Sequence, residues 1–235
     1  MKSRILALVA ILVFAGSQQI IAQKSQTRNN LSAFTEISLK IGANVHLKQG
    51  STQSVEVKGE ENTLTKLITD VKERTLVIKF PADTWFSNWN PGKIDIYVTI
   101  PQIDGLTISG SGSIVSEDKI DTRILSLLLS GSGNIKLDDL NAEKVSAALS
   151  GSGNVFISGR GTASEFKASI SGSGNIKAID FPANDVDVKI SGSGNCHVNS
   201  IKNLVAKLAG SGNVIYRGDP LVDTTIVGSG NVKKE

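Results

Sequence analysis

Apolar and polar residues alternate along most of this chain, and one tetrapeptide interrupts the alternation at regular intervals. Leu125, Leu127 and Leu129 precede Gly131-Ser132-Gly133-Asn134, and Ile135 and Leu137 follow it. The same offsets carry Val145, Ala147, Leu149, Val155 and Ile157 around Gly151, and Phe166, Ala168, Ile170, Ile176 and Ala178 around Gly172. They carry Val186, Val188, Ile190, Cys196 and Val198 around Gly192, and Leu204, Ala206, Leu208, Val214 and Tyr216 around Gly210. A period of two is the signature of a strand with one buried face. Each unit therefore predicts strand, Gly-Ser-Gly-Asn corner, strand. A helix is excluded by the period and by the glycines that break every segment.

The tetrapeptide begins at Gly131, Gly151, Gly172, Gly192, Gly210 and Gly228, after a degenerate copy at Gly110-Ser111-Gly112-Ser113. The copies lie about 20 residues apart at first and about 18 later. A fixed step of this size marks stacked units that bury their inward faces on one another. The expected fold is all-β, a parallel β-solenoid with about 20 residues per repeat. Glycine permits the positive φ of a sharp bend. Asparagine tolerates the left-handed region and bonds nearby backbone. Stacking would place Asn134, Asn154, Asn175, Asn195, Asn213 and Asn231 above one another as a structural amide ladder. The step between coils would be about 4.8 Å.

The first half follows the same plan less regularly. Ile37, Leu39 and Ile41 alternate, then Gly42-Ala43-Asn44 turns, then Val45 and Leu47 alternate, which predicts a coil with a shortened corner. Val55 and Val57 predict another strand, residues 60–74 a helical turn or a looser excursion, and Leu76 and Ile78 a further strand. Ile94, Ile96, Val98 and Ile100 alternate up to Pro101. No linker separates the halves, so 34–235 reads as one solenoid domain after a flexible N-terminal segment, 23–33.

Residues 1–22 read as a signal peptide: Lys2 and Arg4, the apolar run from Ile5 to Phe14, then Ile20-Ile21-Ala22 before Gln23. The remainder has no apolar run of about 18 residues, so no transmembrane segment is expected in the mature chain. The protein is expected to be exported to the periplasm, the outer-membrane periphery or the medium.

Without Lys2 and Arg4 the formal net charge falls from +3 to +1. That is too balanced for a nucleic-acid partner. The single cysteine, Cys196, falls at an inward offset, and His46 and His197 are the only histidines, so no metal, cofactor or catalytic set is expected. The serine of the corner recurs in every copy, which suits a structural residue better than a nucleophile. Asp138-Asp139 and Asp185-x-Asp187 are the nearest approaches to a carboxylate pair, and Arg217-Gly218-Asp219 is a three-residue match to an integrin-recognition sequence.

The Phe34-x-x-Ile37 coil, the Ile94-to-Pro101 strand, the serial Ser-Gly-Ser-Gly corners and Tyr216-x-Gly218-x-Pro220 together resemble the head GIN domain family. That family is described as auto-transporter adhesin heads of exported Gram-negative proteins. The resemblance covers essentially the whole mature chain. It implies a right-handed, β-helix-like solenoid. Because the outward residues after the corners are mixed and bring no carboxylate set together, the chain is expected to be an adhesin-like binding or structural module at the Gram-negative cell envelope, without enzymatic activity. The implied fold is also similar to polysaccharide lyases, so a carbohydrate-active enzyme, lyase or hydrolase, is the alternative.

Residues 83–92 hold both tryptophans of a chain poor in aromatics. Trp85, Phe86 and Trp89 fit neither the strand alternation nor the corners. Clustered aromatics on a loop mark a binding surface for a glycan or protein partner, or a hydrophobic lid over a solenoid end. Because stacked coils expose strand edges at their ends, either the first half or a second subunit of a homo-oligomer should cover an end.

Overall fold

The structure is a computed structural model describing residues 23–82 and 89–235. The signal-peptide segment and Asp83–Asn88, with Trp85 and Phe86, lie outside the described residues. The first half holds β1 (Lys24–Thr27), β2 (Glu36–Leu39), β3 (Asn44–Gln49), β4 (Ser54–Gly59), α1 (Glu61–Lys66), β5 (Ile68–Lys72), β6 (Thr75–Lys79) and β7 (Asp95–Ile100). Then come β8 (Gly105–Gly110), β9 (Ser113–Gly131), β10 (Asn134–Gly151), β11 (Asn154–Ser158), β12 (Ala163–Gly172) and β13 (Asn175–Gly192). The last four are β14 (Asn195–Gly210), β15 (Asn213–Arg217), β16 (Leu221–Gly228) and β17 (Asn231–Lys234).

From β8 onward every pairing is parallel and connects equivalent positions of successive coils, so the chain winds as a parallel β-solenoid. Equivalent asparagines are 18 to 21 residues apart, which sets the length of a turn. Inward offsets stack into a continuous core running from Phe34 to Val214. Its aliphatic columns are widened at one level by Phe166 and Phe181, which meet edge to face at 6.0 Å. Cys196 is fully enclosed in this core, and burial pushes its thiol pKa up to about 12.

The first half closes one end. β2 lies between β6 and β8, and β3 between β7 and β9, all parallel, so the earliest coil is sandwiched between later ones. Beyond it the plan changes to antiparallel: β4 adds to β7, β1 to β4, and β5 to β6. Residues 60–74 form α1 and β5; Thr63, Leu64 and Leu67 are buried there, and Thr63 Oγ1 donates to the Pro91 carbonyl at 2.7 Å. Residues 23–33, expected to be a flexible lead-in, carry β1, and Arg28 donates to the Leu64 carbonyl at 2.9 Å. Their backbone groups find partners on the edge of β4, which the period-two pattern does not reveal. The corner at Gly42-Ala43-Asn44, expected to be shortened, has full length. Leu39 pairs with Ile108 and Asn44 with Ser113, so the same number of residues turns in both coils.

Candidate functional site

The corners supply the frame in which the site appears. At each regular corner the first glycine has a φ between +120° and +127°, and from Gly131 to Gly210 its carbonyl accepts two N–H groups from the next coil. The Gly151 carbonyl, for example, accepts from Ser173 and Gly174, each at 3.0 Å. A Cβ on Gly172 would sit 2.6 Å from that same oxygen, so close stacking requires glycine. Beside this backbone tile runs a side-chain column. Asn154 donates to Asn134, Asn175 to Asn154, Asn195 to Asn175 and Asn213 to Asn195, at 3.0 to 3.1 Å. Asn231 occupies the next register position but is exposed, with no side-chain partner among the described residues. Ser113 interrupts the column at the other end. Beyond it Asn44 donates to Asp95 at 3.1 Å. Burial opposes ionisation of Asp95, but hydrogen bonds from Asn44, Lys93 and His46, with the Lys93 charge, hold its carboxyl below the usual carboxylate range.

One corner breaks the tile. Ile41 stands where the others have their first glycine, opposite Gly110. A β-branched residue is not accommodated at strongly positive φ. The turn closes instead through the Ala43 N–H on the Ile41 carbonyl at 3.0 Å, and the paired donation seen elsewhere is not made. Gly110 consequently has open space where a Cβ would be, unlike the corner glycines that follow it. The result is a cleft of about 310 Å³ lined by Lys40, Ile41, Gly42, Phe80, Trp89, Pro91, Ser109, Gly110 and Ser111.

Trp89 reaches this cleft because the long connection between β6 and β7 replaces the corner of the outermost coil. Its half-buried ring meets Phe80 edge to face at 4.9 Å, and the Lys66 ammonium lies 4.4 Å from the ring centre. Among the described residues the indole Nε1 is enclosed without a hydrogen-bond partner. A buried donor left unpaired costs about 1–3 kcal/mol, so the site gains if a ligand oxygen accepts from it. The cleft thus combines apolar ring faces, two serine hydroxyls and the Lys40 ammonium, with Lys66 over the indole and the enclosed indole N–H beside it. Of the three aromatic residues singled out from sequence, the structure places Trp89 here. Sequence reasoning missed Phe80, Lys66 and the role of Ile41; a signal was present in the isoleucine that replaces a corner glycine.

A second feature missed from sequence lies on the outward column after the corners. His46 stacks on Tyr97 at 4.7 Å, with the Lys58 ammonium 4.4 Å from the Tyr97 ring. Recognising it requires knowing that β3 pairs with β7, which local periodicity does not give.

Several outward carboxylates are engaged, while Asp187 Oδ1 is enclosed without a hydrogen-bond partner among the described residues. Asp138 pairs with Lys136 at 2.6 Å, Asp121 with Lys119 at 2.7 Å, and Asp185 accepts from Asn203 at 2.6 Å. The Ser25 hydroxyl and Lys58 hold Glu56 below the usual carboxylate range, and Lys119 and Asn141 do so for Asp121. Arg217 bonds Glu235 at 2.7 Å and Asp180 at 3.1 Å, and Lys234 engages Asp219, so both charged ends of the Arg-Gly-Asp sequence are occupied within the chain. Among the described residues no group of three or more metal-ligating side chains converges, and no helix is long and apolar enough to cross a membrane.

A family model described as "Putative auto-transporter adhesin, head GIN domain" matches residues 33–220. The fold is shared with solved structures. A protein of Bacteroides fragilis described as a "putative adhesin" has a TM-score of 0.85 at 24% identity, over 91% of this chain and 97% of its own. A "putative lipid binding protein" of Parabacteroides distasonis has a TM-score of 0.73 at 25% identity, over 91% and 96%. A "putative adhesin" of the same organism has a TM-score of 0.69 at 22% identity, over 91% and 97%. No curated protein matches the chain.

Proposed function

Since the chain belongs to the head GIN domain family of auto-transporter adhesins, we propose that it is an exported, non-enzymatic, adhesin-like module that binds a glycan at the cell envelope through the Trp89 cleft. The single observation carrying this reading is the indole. Its edge-to-face pair with Phe80 lines a gap in an otherwise closed corner stack, and its enclosed N–H has no partner among the described residues. A sugar ring offers an apolar face to the aromatic surface and hydroxyls to the N–H, Ser109 and Ser111. The hydrolase alternative needs a carboxylic acid held protonated near neutral pH. Glu56, Asp95 and Asp121 are instead shifted toward the ionised form. A second ligand class, an acyl chain, is favoured by the apolar lining from Ile41, Phe80 and Pro91, and by the Parabacteroides distasonis relative described as lipid binding.

Glycan-array binding beside far-ultraviolet circular dichroism tests the proposal. Trp89→Ala should retain the β spectrum and bind the glycans recognised by the parent at least about thirtyfold more weakly, the scale of a buried aromatic contact. Undiminished glycan binding by a folded variant refutes the site. Loss of the β spectrum makes Trp89 a lid. Binding of fatty acid but of no glycan replaces the ligand class.

A further inference from the structure

The two ends of the solenoid are built differently. At the N-terminal end the outermost strands are polar: β1 reads Lys-Ser-Gln-Thr, and β5 carries Asp70 and Lys72. Charged and polar side chains on an edge discourage pairing with another chain. At the opposite end β16 pairs only with β14, and β17 only with β15, among the described residues. All eight residues of β16 are exposed, and the strand reads Leu-Val-Asp-Thr-Thr-Ile-Val-Gly. Leu221 is 79% exposed, Val227 69%, Val222 42% and Ile226 40%, which makes this an apolar edge with one charge.

The order of these residues is self-complementary. Register with β14 places Val222, Thr224 and Ile226 over the core residues Leu204, Ala206 and Leu208, so Leu221, Asp223, Thr225 and Val227 face outward. An antiparallel pairing of β16 with a second copy, centred on Thr224, sets Val222 against Ile226 of that copy on the core side. On the outer side it sets Leu221 against Val227 and Asp223 against Thr225. Every apolar residue then meets an apolar one, every polar residue a polar one, and inward stays with inward. A centre one half-step away would oppose Asp223 to Ile226 and mix the two faces, which period-two strands do not tolerate.

We infer that β16 is a homodimerisation strand: two copies join end to end about a two-fold axis through Thr224, continuing the sheet antiparallel across the interface. The contact is isologous, so it closes on itself and gives dimers rather than fibres. It leaves the Trp89 cleft, at the other end of each solenoid, unobstructed. The inference goes beyond the glycan reading and stands independently of it.

Sedimentation velocity over a concentration series, with cysteine crosslinking, tests it. The protein should sediment as a dimer that dissociates on dilution. Thr225→Asp adds an outward carboxylate beside Lys207 of its own chain, where the monomer tolerates it. Across the interface it would face Asp223 twice, and should weaken dimerisation by about tenfold; Thr225→Lys should tighten it by a similar factor. Directly opposed residues of an antiparallel pair lie within disulfide range. Thr224→Cys should therefore oxidise to a covalent dimer, and Thr225→Cys should not. A monomer at every concentration overturns the inference. So does a dimer indifferent to both charges at position 225, or equal crosslinking from positions 224 and 225.

Discussion

Replacing Asn175 with alanine tests whether the amide column holds the corners in register. Asn175 donates to Asn154 at 3.0 Å and accepts from Asn195 at 3.1 Å, both partly shielded from water. Each bond contributes about 1 kcal/mol net, and the truncation also leaves the Asn154 oxygen and the Asn195 N–H without partners. The expected cost is therefore about 2–3 kcal/mol. The column supplies its own controls. Asn134 makes one such bond, from Asn154, so Asn134→Ala should cost about 1 kcal/mol. Asn231 is exposed without a side-chain partner, and Asn231→Ala should be nearly silent. Urea unfolding followed by circular dichroism should give midpoints in that order at unchanged slope. In thermal melts Asn175→Ala should lower Tm by about 4–12 °C for a chain of this size. If Asn175→Ala is no worse than Asn231→Ala, the column does not stabilise the solenoid and the reasoning fails.

Gly172→Ala should destabilise by about 3 kcal/mol or more, since φ is +120° and the new Cβ would sit 2.6 Å from the Gly151 carbonyl oxygen; an unchanged melt would show that the corner yields. Cys196, its thiol pushed up to about 12 by burial, should resist alkylation at neutral pH in the native protein and react fully in denaturant; rapid native labelling would contradict its enclosure. Burial, helped by the Lys177 and Lys233 charges and opposed by Glu235, holds the His197 imidazole below its ordinary pKa. The unfolded chain then binds more protons, so this contribution is complete above the ordinary imidazole range and lost as pH falls through it toward the folded pKa. His197→Gln should flatten the decline in stability between about pH 7 and pH 5, and equal slopes in the two proteins would refute the assignment.

The stacked coils were legible in the sequence because inward residues repeat at fixed offsets and every regular turn needs glycine where φ is positive. Val145, Phe166, Val186 and Leu204 announce one column of the core without reference to anything distant. The closed end was not legible in the same way. β4 and β5 pair antiparallel with β7 and β6, and period-two alternation gives a strand's buried face without its partner or direction. The same limit turned residues 23–33 into an expected lead-in, because β1 is polar and is held by edge hydrogen bonds rather than by apolar burial. The cleft was half legible. Trp89 stood out as an aromatic residue unlike the repeat, but its neighbours come from four separate segments. The gap itself arises from Ile41 occupying a glycine position in a corner whose length looked shorter than it is.

The indole N–H of Trp89 gives the most direct test of the proposed function. In a proton–nitrogen correlation spectrum, with the Trp89 signal assigned by Trp89→Phe, titration with a glycan that binds should shift that resonance in step with binding, because the enclosed N–H gains its acceptor. A glycan that saturates the protein while the Trp89 resonance stays in place would contradict the account and move the binding surface elsewhere on the solenoid.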